Sequence, residues 1–181
     1  TQDERFQPYC SFYNKFYKGV RTHQDSFEPI GLTQIHLRNI DNNKFLIAEI
    51  NCCMYVEKDT VDSSRGQIDF NSLKKLRKEL ERITTENNDL EEYIKIAMIH
   101  HHIVLLPSFI EAGRGVDAVM NAGYLLELLS EYGFHLILHG HKHYPNIFTY
   151  EPVPLWVESS NRIPQVVVAG GSCGSKELPM D

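Results

Sequence analysis

No stretch of this chain approaches the roughly 18 to 20 consecutive apolar residues that a membrane-spanning helix needs. The first residues also lack the basic-then-apolar pattern of a secretory signal. The sequence therefore reads as cytoplasmic. With no initiating Met and an opening directly into Asp3-Glu4-Arg5-Phe6, it also reads as a trimmed or partial polypeptide. Cysteine is scarce: the 181 residues include four, at Cys10, Cys52, Cys53 and Cys173, and none is spaced as CxxC. Side chains alternate along a strand, so the adjacent Cys52 and Cys53 are expected to point to opposite faces, and all four read as free thiols in a reducing compartment. Positive charge is short as well. Eighteen Lys and Arg stand against 24 Asp and Glu, a formal net charge of −6, which argues against a broad nucleic-acid footprint. No internal repeat or low-complexity tract is present. What remains is ordinary globular composition, 42% hydrophobic and 23% charged, enough for one domain with a sizeable core.

Histidine is what the chain does have. The run Phe134-His135-Leu136-Ile137-Leu138 is a short apolar strand that stops at His139-Gly140-His141-Lys142-His143. Gly140 lets the backbone bend there, and continued alternation would put His139, His141 and His143 on one side with Lys142 on the other. A second strand pattern, Ile94-Lys95-Ile96-Ala97-Met98-Ile99, closes in the same way on His100-His101-His102. Neutral imidazole is the commonest side-chain metal ligand, so two strand tips that each deliver histidines point to a metal centre.

The rest of the chain supplies a frame for those tips. Aromatics at Phe6, Tyr9, Phe12, Tyr13, Phe16 and Tyr17 recur at spacings of three and four, which predicts a helix over 7–18 with the stripe as core. Segments 31–40 and 44–52 read as strands joined by Asp41-Asn42-Asn43, a turn whose residues tolerate left-handed backbone. Asp69 reads as the N-cap of an amphipathic helix whose apolar face is Phe70, Leu73, Leu76, Leu80 and Ile83. Val119 to Leu129 marks another helix, which Gly133 ends. Strands are expected at 93–99, 134–138, 147–150 and 165–169, the last running into the Gly/Ser-rich segment from Gly170 to Ser175.

Strand, His-His, helix, strand and then Gly140-His141-Lys142-His143 resembles the C-terminal half of the calcineurin-like metallophosphoesterases. The resemblance implies an α/β (α+β) fold, a β-sandwich flanked by helices, of which residues 1–181 would supply the C-terminal portion of a single domain. It further implies a pair of divalent ions (Mn2+, Fe2+/Fe3+, Zn2+ or Mg2+) ligated by His141, His143 and one histidine of the first run. That one is His101 if Ile103 stands where the family has proline, with His100 the runner-up. The family's Asp-x-His, Gly-Asp-x-x-Asp and Gly-Asn-His-Asp/Glu motifs do not occur in the chain. Asp59-Thr60-Val61-Asp62 lacks the preceding Gly and the strand, and reads as a turn. The general acid is accordingly expected upstream of residue 1, and the later half of a sandwich is expected to need a partner chain or a first half to cover its sheet.

The implied activity is hydrolysis of a phosphate ester, with a phosphodiester such as a cyclic nucleotide preferred. Arg114, in the loop 107–116, is the candidate for holding a phosphate oxygen through its guanidinium, with an ion pair to Glu111 as its structural alternative. The resemblance also implies a loop across the rim of the site after residue 51, which makes Asn51 and Arg65 further candidates there. The alternative from another class is a degenerate phosphoesterase, a metal-binding interaction module without catalysis.

Overall fold

The computed structural model describes residues 2–18, 33–55, 65–104, 118–141, 145–151 and 163–170. Their order is α1 (Gln2–Phe16), β1 (Gln34–Ile40), β2 (Asn43–Ile50), α2 (Phe70–Glu86), β3 (Ile94–Ile99), α3 (Ala122–Glu131), β4 (Leu136–His139), β5 (Asn146–Tyr150) and β6 (Gln165–Ala169). The fold is mixed α/β, and the six strands form one mixed sheet in the order β1-β2-β3-β4-β6-β5. The inner four strands, β2, β3, β4 and β6, run parallel, while β1 and β5 are antiparallel edges. A second sheet, as a sandwich would require, is not among the described residues.

Local chemistry explains the elements. Asp41 and Asn42 take φ values of 47° and 67°, the left-handed pair that closes a two-residue hairpin between β1 and β2. The Asp69 carboxylate accepts from the Ser72 amide and starts α2, satisfying one of the donors that a helix N-terminus leaves open. Gly133 (φ 77°) follows α3, where a Cβ would strain the backbone.

Helices α2 and α3 cover one side of the sheet. Leu73, Leu76, Leu80 and Ile83 of α2 and Leu125, Leu126, Leu128 and Leu129 of α3 are buried in one cluster with Leu46, Ala48, Ala97, Ile137 and Val167. Paired positions put Ile35, Ala48, Ala97, Ile137, Val167 and Phe148 in one cross-sheet row on this side. Burying a Leu or Ile side chain contributes about 1.5 to 3 kcal/mol, so this cluster supplies most of the driving force.

The other side is less well covered. The apolar run of β3 reads as a strand buried on both faces, yet Ile94 and Met98 are 37% and 43% exposed, as are Val166 (40%) and Ile147 (71%). The aromatic stripe of α1 also departs from expectation: the helix starts at Gln2, five residues earlier, and only part of the stripe is buried. Tyr9, Tyr13 and Tyr17 meet in tilted pairs along one line, with Tyr13 buried and Tyr9 exposed, whereas Phe12 and Phe16 stack along another and both stay exposed. A spacing of four generates each line, and of these five rings Tyr13 is the buried one. Partial burial raises the Tyr9 phenol's pKa, with Tyr13 and the Glu49 carboxylate adding to it.

Candidate metal centre

Parallel pairing makes β2, β3, β4 and β6 end at the same edge of the sheet, the place where open α/β sheets bind ligands. There β2 runs into Asn51-Cys52-Cys53, β3 into His100-His101-His102, and β4 into Gly140-His141. Backbone bonds fix these ends against one another. The Gly140 amide donates to the His100 carbonyl (3.1 Å), Gly170 to His139 (2.7 Å), Gln67 to Cys52 (2.8 Å) and Val119 to His102 (2.7 Å).

The two histidine runs meet. The rings of His101 and His141 have centroids 4.4 Å apart, and those of His100 and His141 are 5.1 Å apart. His141 Nδ1 lies 3.2 Å from His100 Nε2, so one of these nitrogens carries the shared proton. Both members of the first run thus approach His141; His101 is 3% exposed and His100 is on the surface. His143 and Arg114, the other sequence-predicted site residues, lie outside the described residues, as do Glu111 and the Gly/Ser segment beyond Gly170.

The alternation that would align His139 with His141 stops at Gly140. His139 belongs to the strand, paired in a row with Ile99 and Ala169 on the helix-covered side, and is 5% exposed. Its ring packs on His102 at 4.5 Å, and its Nε2 has no hydrogen-bond partner. Burial holds its pKa below the ordinary value, opposed by the Gly140 carbonyl. His141 lies past the strand end with φ 77°, left-handed backbone that a non-glycine residue seldom takes. That turn of the chain, rather than strand periodicity, presents its imidazole to His100 and His101.

Cys52 and Cys53 join the site, against the expectation that neighbouring residues diverge. The strand ends at Ile50, and the Asn51 side chain accepts from the Cys53 amide (3.0 Å), curling the chain back on itself. Both sulfurs then face one imidazole: His101 Nδ1 is 3.0 Å from Cys52 Sγ and 3.9 Å from Cys53 Sγ. A hydrogen bond from Cys52, followed by one from His101, pulls the Cys53 thiol well below its usual pKa, while the same Cys53 contact and then burial push the Cys52 thiol up. Sequence reasoning passed over these thiols, although they follow the apolar strand Phe45–Ile50 just as the histidines follow theirs.

Among the described residues, the group of three or more donors able to hold an ion is Cys52, Cys53 and His101, whose ligand atoms all lie within 4.8 Å of one another. No carboxylate belongs to it. Two dications about 3.5 to 4 Å apart repel strongly and need anionic bridging ligands. The described donors therefore fit one soft ion and do not fit a hard, carboxylate-bridged pair. No described helix is long and apolar enough to cross a membrane. No protein-family model matches the chain, and no curated protein is significantly similar to it.

Proposed function

We propose that this chain contributes a metal centre to a phosphate-ester hydrolase of the calcineurin-like metallophosphoesterase kind. The ligands assigned to it are His101, His141 and His143, with a phosphodiester such as a cyclic nucleotide as substrate. One observation carries the reading: imidazoles delivered by two separate strand tips, His101 after β3 and His141 after β4, come within 4.4 Å, centroid to centroid. The cluster gathers at the carboxyl ends of parallel strands, the place where open α/β sheets bind ligands.

When bound there, a divalent ion supplies a hydroxide nucleophile at neutral pH and neutralises phosphoryl oxygens. The chain's own part is positional. The bond from the Gly140 amide to the His100 carbonyl sets the distance between the two histidine-bearing loops. His139, buried beneath with a lowered pKa, adds no positive charge to the floor at neutral pH. Arg114 is assigned to a phosphate oxygen, where a planar guanidinium donates in pairs. The second ion of the family's pair would require carboxylates that the described cluster does not contain.

The donor set of the described cluster, two thiols and an imidazole, favours one alternative, a metal-binding interaction module without catalysis. Turnover of bis(p-nitrophenyl) phosphate with added Mn2+ or Zn2+ separates the two. The hydrolase reading expects turnover that is abolished in His141→Ala and in His141→Asn while the circular dichroism spectrum is unchanged. Metal binding without turnover of any phosphodiester or phosphomonoester would leave the binding module. Full activity in both variants would remove His141 from the ligand set.

A further inference from the structure

We propose that Cys52, Cys53 and His101 form a zinc site: two thiolates and one imidazole hold a single ion, with a fourth coordination position left for an outside ligand. The inference shares His101 with the centre above but does not depend on the protein hydrolysing anything.

The distances carry it first. With Zn–S near 2.3 Å and Zn–N near 2.0 to 2.1 Å, tetrahedral geometry sets sulfur and nitrogen ligands about 3.6 Å apart. The two separations from His101 Nδ1, 3.0 Å to Cys52 and 3.9 Å to Cys53, bracket that value. Displacements of about 0.6 Å at Cys52 and about 0.3 Å at Cys53 bring both to it.

The backbone carries it second. Adjacent residues reach one ion only if the chain leaves the extended conformation between them, and the Asn51 side-chain bond to the Cys53 amide provides that departure. The Gln67 amide bonded to the Cys52 carbonyl anchors the turn. Gly66 leaves room for the ring, since a Cβ there would lie 2.8 Å from His101 Cγ and Nδ1.

Donor type and burial complete the case. Cys52 is 1% and His101 3% exposed, whereas Cys53 is only half-buried, so the group is closed below and open on one side. Two thiolates balance the charge of a dication, which lowers the cost of placing it in a buried setting. Thiolates select zinc or Cu(I) over Mn2+ and Mg2+, and three protein ligands with an open position is the arrangement of catalytic zinc sites. A buried cysteine is most often a small apolar filler. A buried and a half-buried cysteine turned onto the same imidazole nitrogen are placed as ligands are.

Cobalt substitution tests this directly. Co2+ titrated into the metal-free protein is expected to give tetrahedral visible bands and a near-ultraviolet thiolate-to-cobalt charge-transfer band, saturating at one ion per chain and displaced by Zn2+. Cys53→Ser is expected to lose that band and to weaken zinc by more than the roughly 10- to 100-fold seen when only supporting groups are changed. Cys53 is half-buried, so its variant folds where Cys52→Ser would disturb the core. Cobalt bound without the charge-transfer band, zinc bound equally well by Cys53→Ser, or no ion bound at all would each overturn the site. His141→Asn separates this from the hydrolase reading: it is expected to keep the thiolate band even where phosphodiester turnover is lost.

Discussion

The buried Gly66 lies so close to the imidazole of His101 that a Cβ on it would sit 2.8 Å from the ring's Cγ and Nδ1 and 3.0 Å from the His101 Cβ. The Gly66 carbonyl accepts from the Met120 amide at 2.9 Å, so its loop is tied in place and the ring must give way. Gly66→Ala is expected to cost about 1 to 3 kcal/mol through overpacking and to move the His101 ring off the thiols. His101 ring resonances together with cobalt affinity check this; unchanged resonances would show that the loop yields instead.

His139 should be expendable where His141 is not. It occupies the apolar row with Ile99 and Ala169 and carries a ring nitrogen without a hydrogen-bond partner. Leaving a buried polar group unsatisfied costs about 1 to 3 kcal/mol, so His139→Leu is expected to be neutral or to stabilise by about 1 kcal/mol. Metal stoichiometry should be unaffected. Urea unfolding and a metal assay on the same sample measure both outcomes, and loss of the ion would make His139 a ligand.

Acid should weaken the protein partly through Asp69. Its burial opposes ionisation, but bonds from the Tyr55 hydroxyl and from the amides of Ser72 and Asn71 outweigh that and hold its pKa below the ordinary value. A carboxylate depressed in the folded state stabilises fully above its unfolded pKa of about 3.9, and the contribution disappears as pH falls through the lower folded value. Asn is also a good N-cap, so Asp69→Asn should differ modestly from the parent at pH 7. Unfolding midpoints of the two proteins should converge between pH 4 and the acid limb; a gap that widens on acidification contradicts the assignment.

Substitutions in and out of the helix-sheet cluster should separate cleanly. Leu125 is fully buried and Leu80 is 1% exposed, so truncating either to Ala should cost about 2 to 5 kcal/mol. Tyr124 of the same α3 is 63% exposed and meets Phe70 edge-on at 5.7 Å. Tyr124→Ala should cost no more than about 0.5 to 1.5 kcal/mol, the scale of one aromatic pair. Denaturant midpoints give the comparison.

Much of the frame is written in local signals. The Asp41-Asn42 turn, the Asp69 cap and the Gly133 stop each follow from backbone preferences of single residues, and the structure uses all three. The histidine runs announce themselves because each closes an apolar strand pattern. What periodicity does not reveal is what happens one residue past a strand. Beyond Ile50 and His139 the chain obeys side-chain bonds and left-handed backbone, so Cys53 turns toward Cys52 and His141 parts from His139. Coverage of the sheet is equally hidden, since Met98 and Ala97 are both apolar yet one is 43% exposed and the other fully buried.

The backbone at His141 gives that position a second property beside its chemistry. With φ at 77° it occupies a region that alanine tolerates poorly and asparagine accepts. His141→Ala therefore removes the imidazole and loads the bend with a conformational penalty, on the order of 1 to 2 kcal/mol, whereas His141→Asn removes the imidazole and spares the bend. His141→Gly would relax the bend altogether. Stability differences among the three then report chiefly on the bend, with glycine's added unfolded-state freedom working against it.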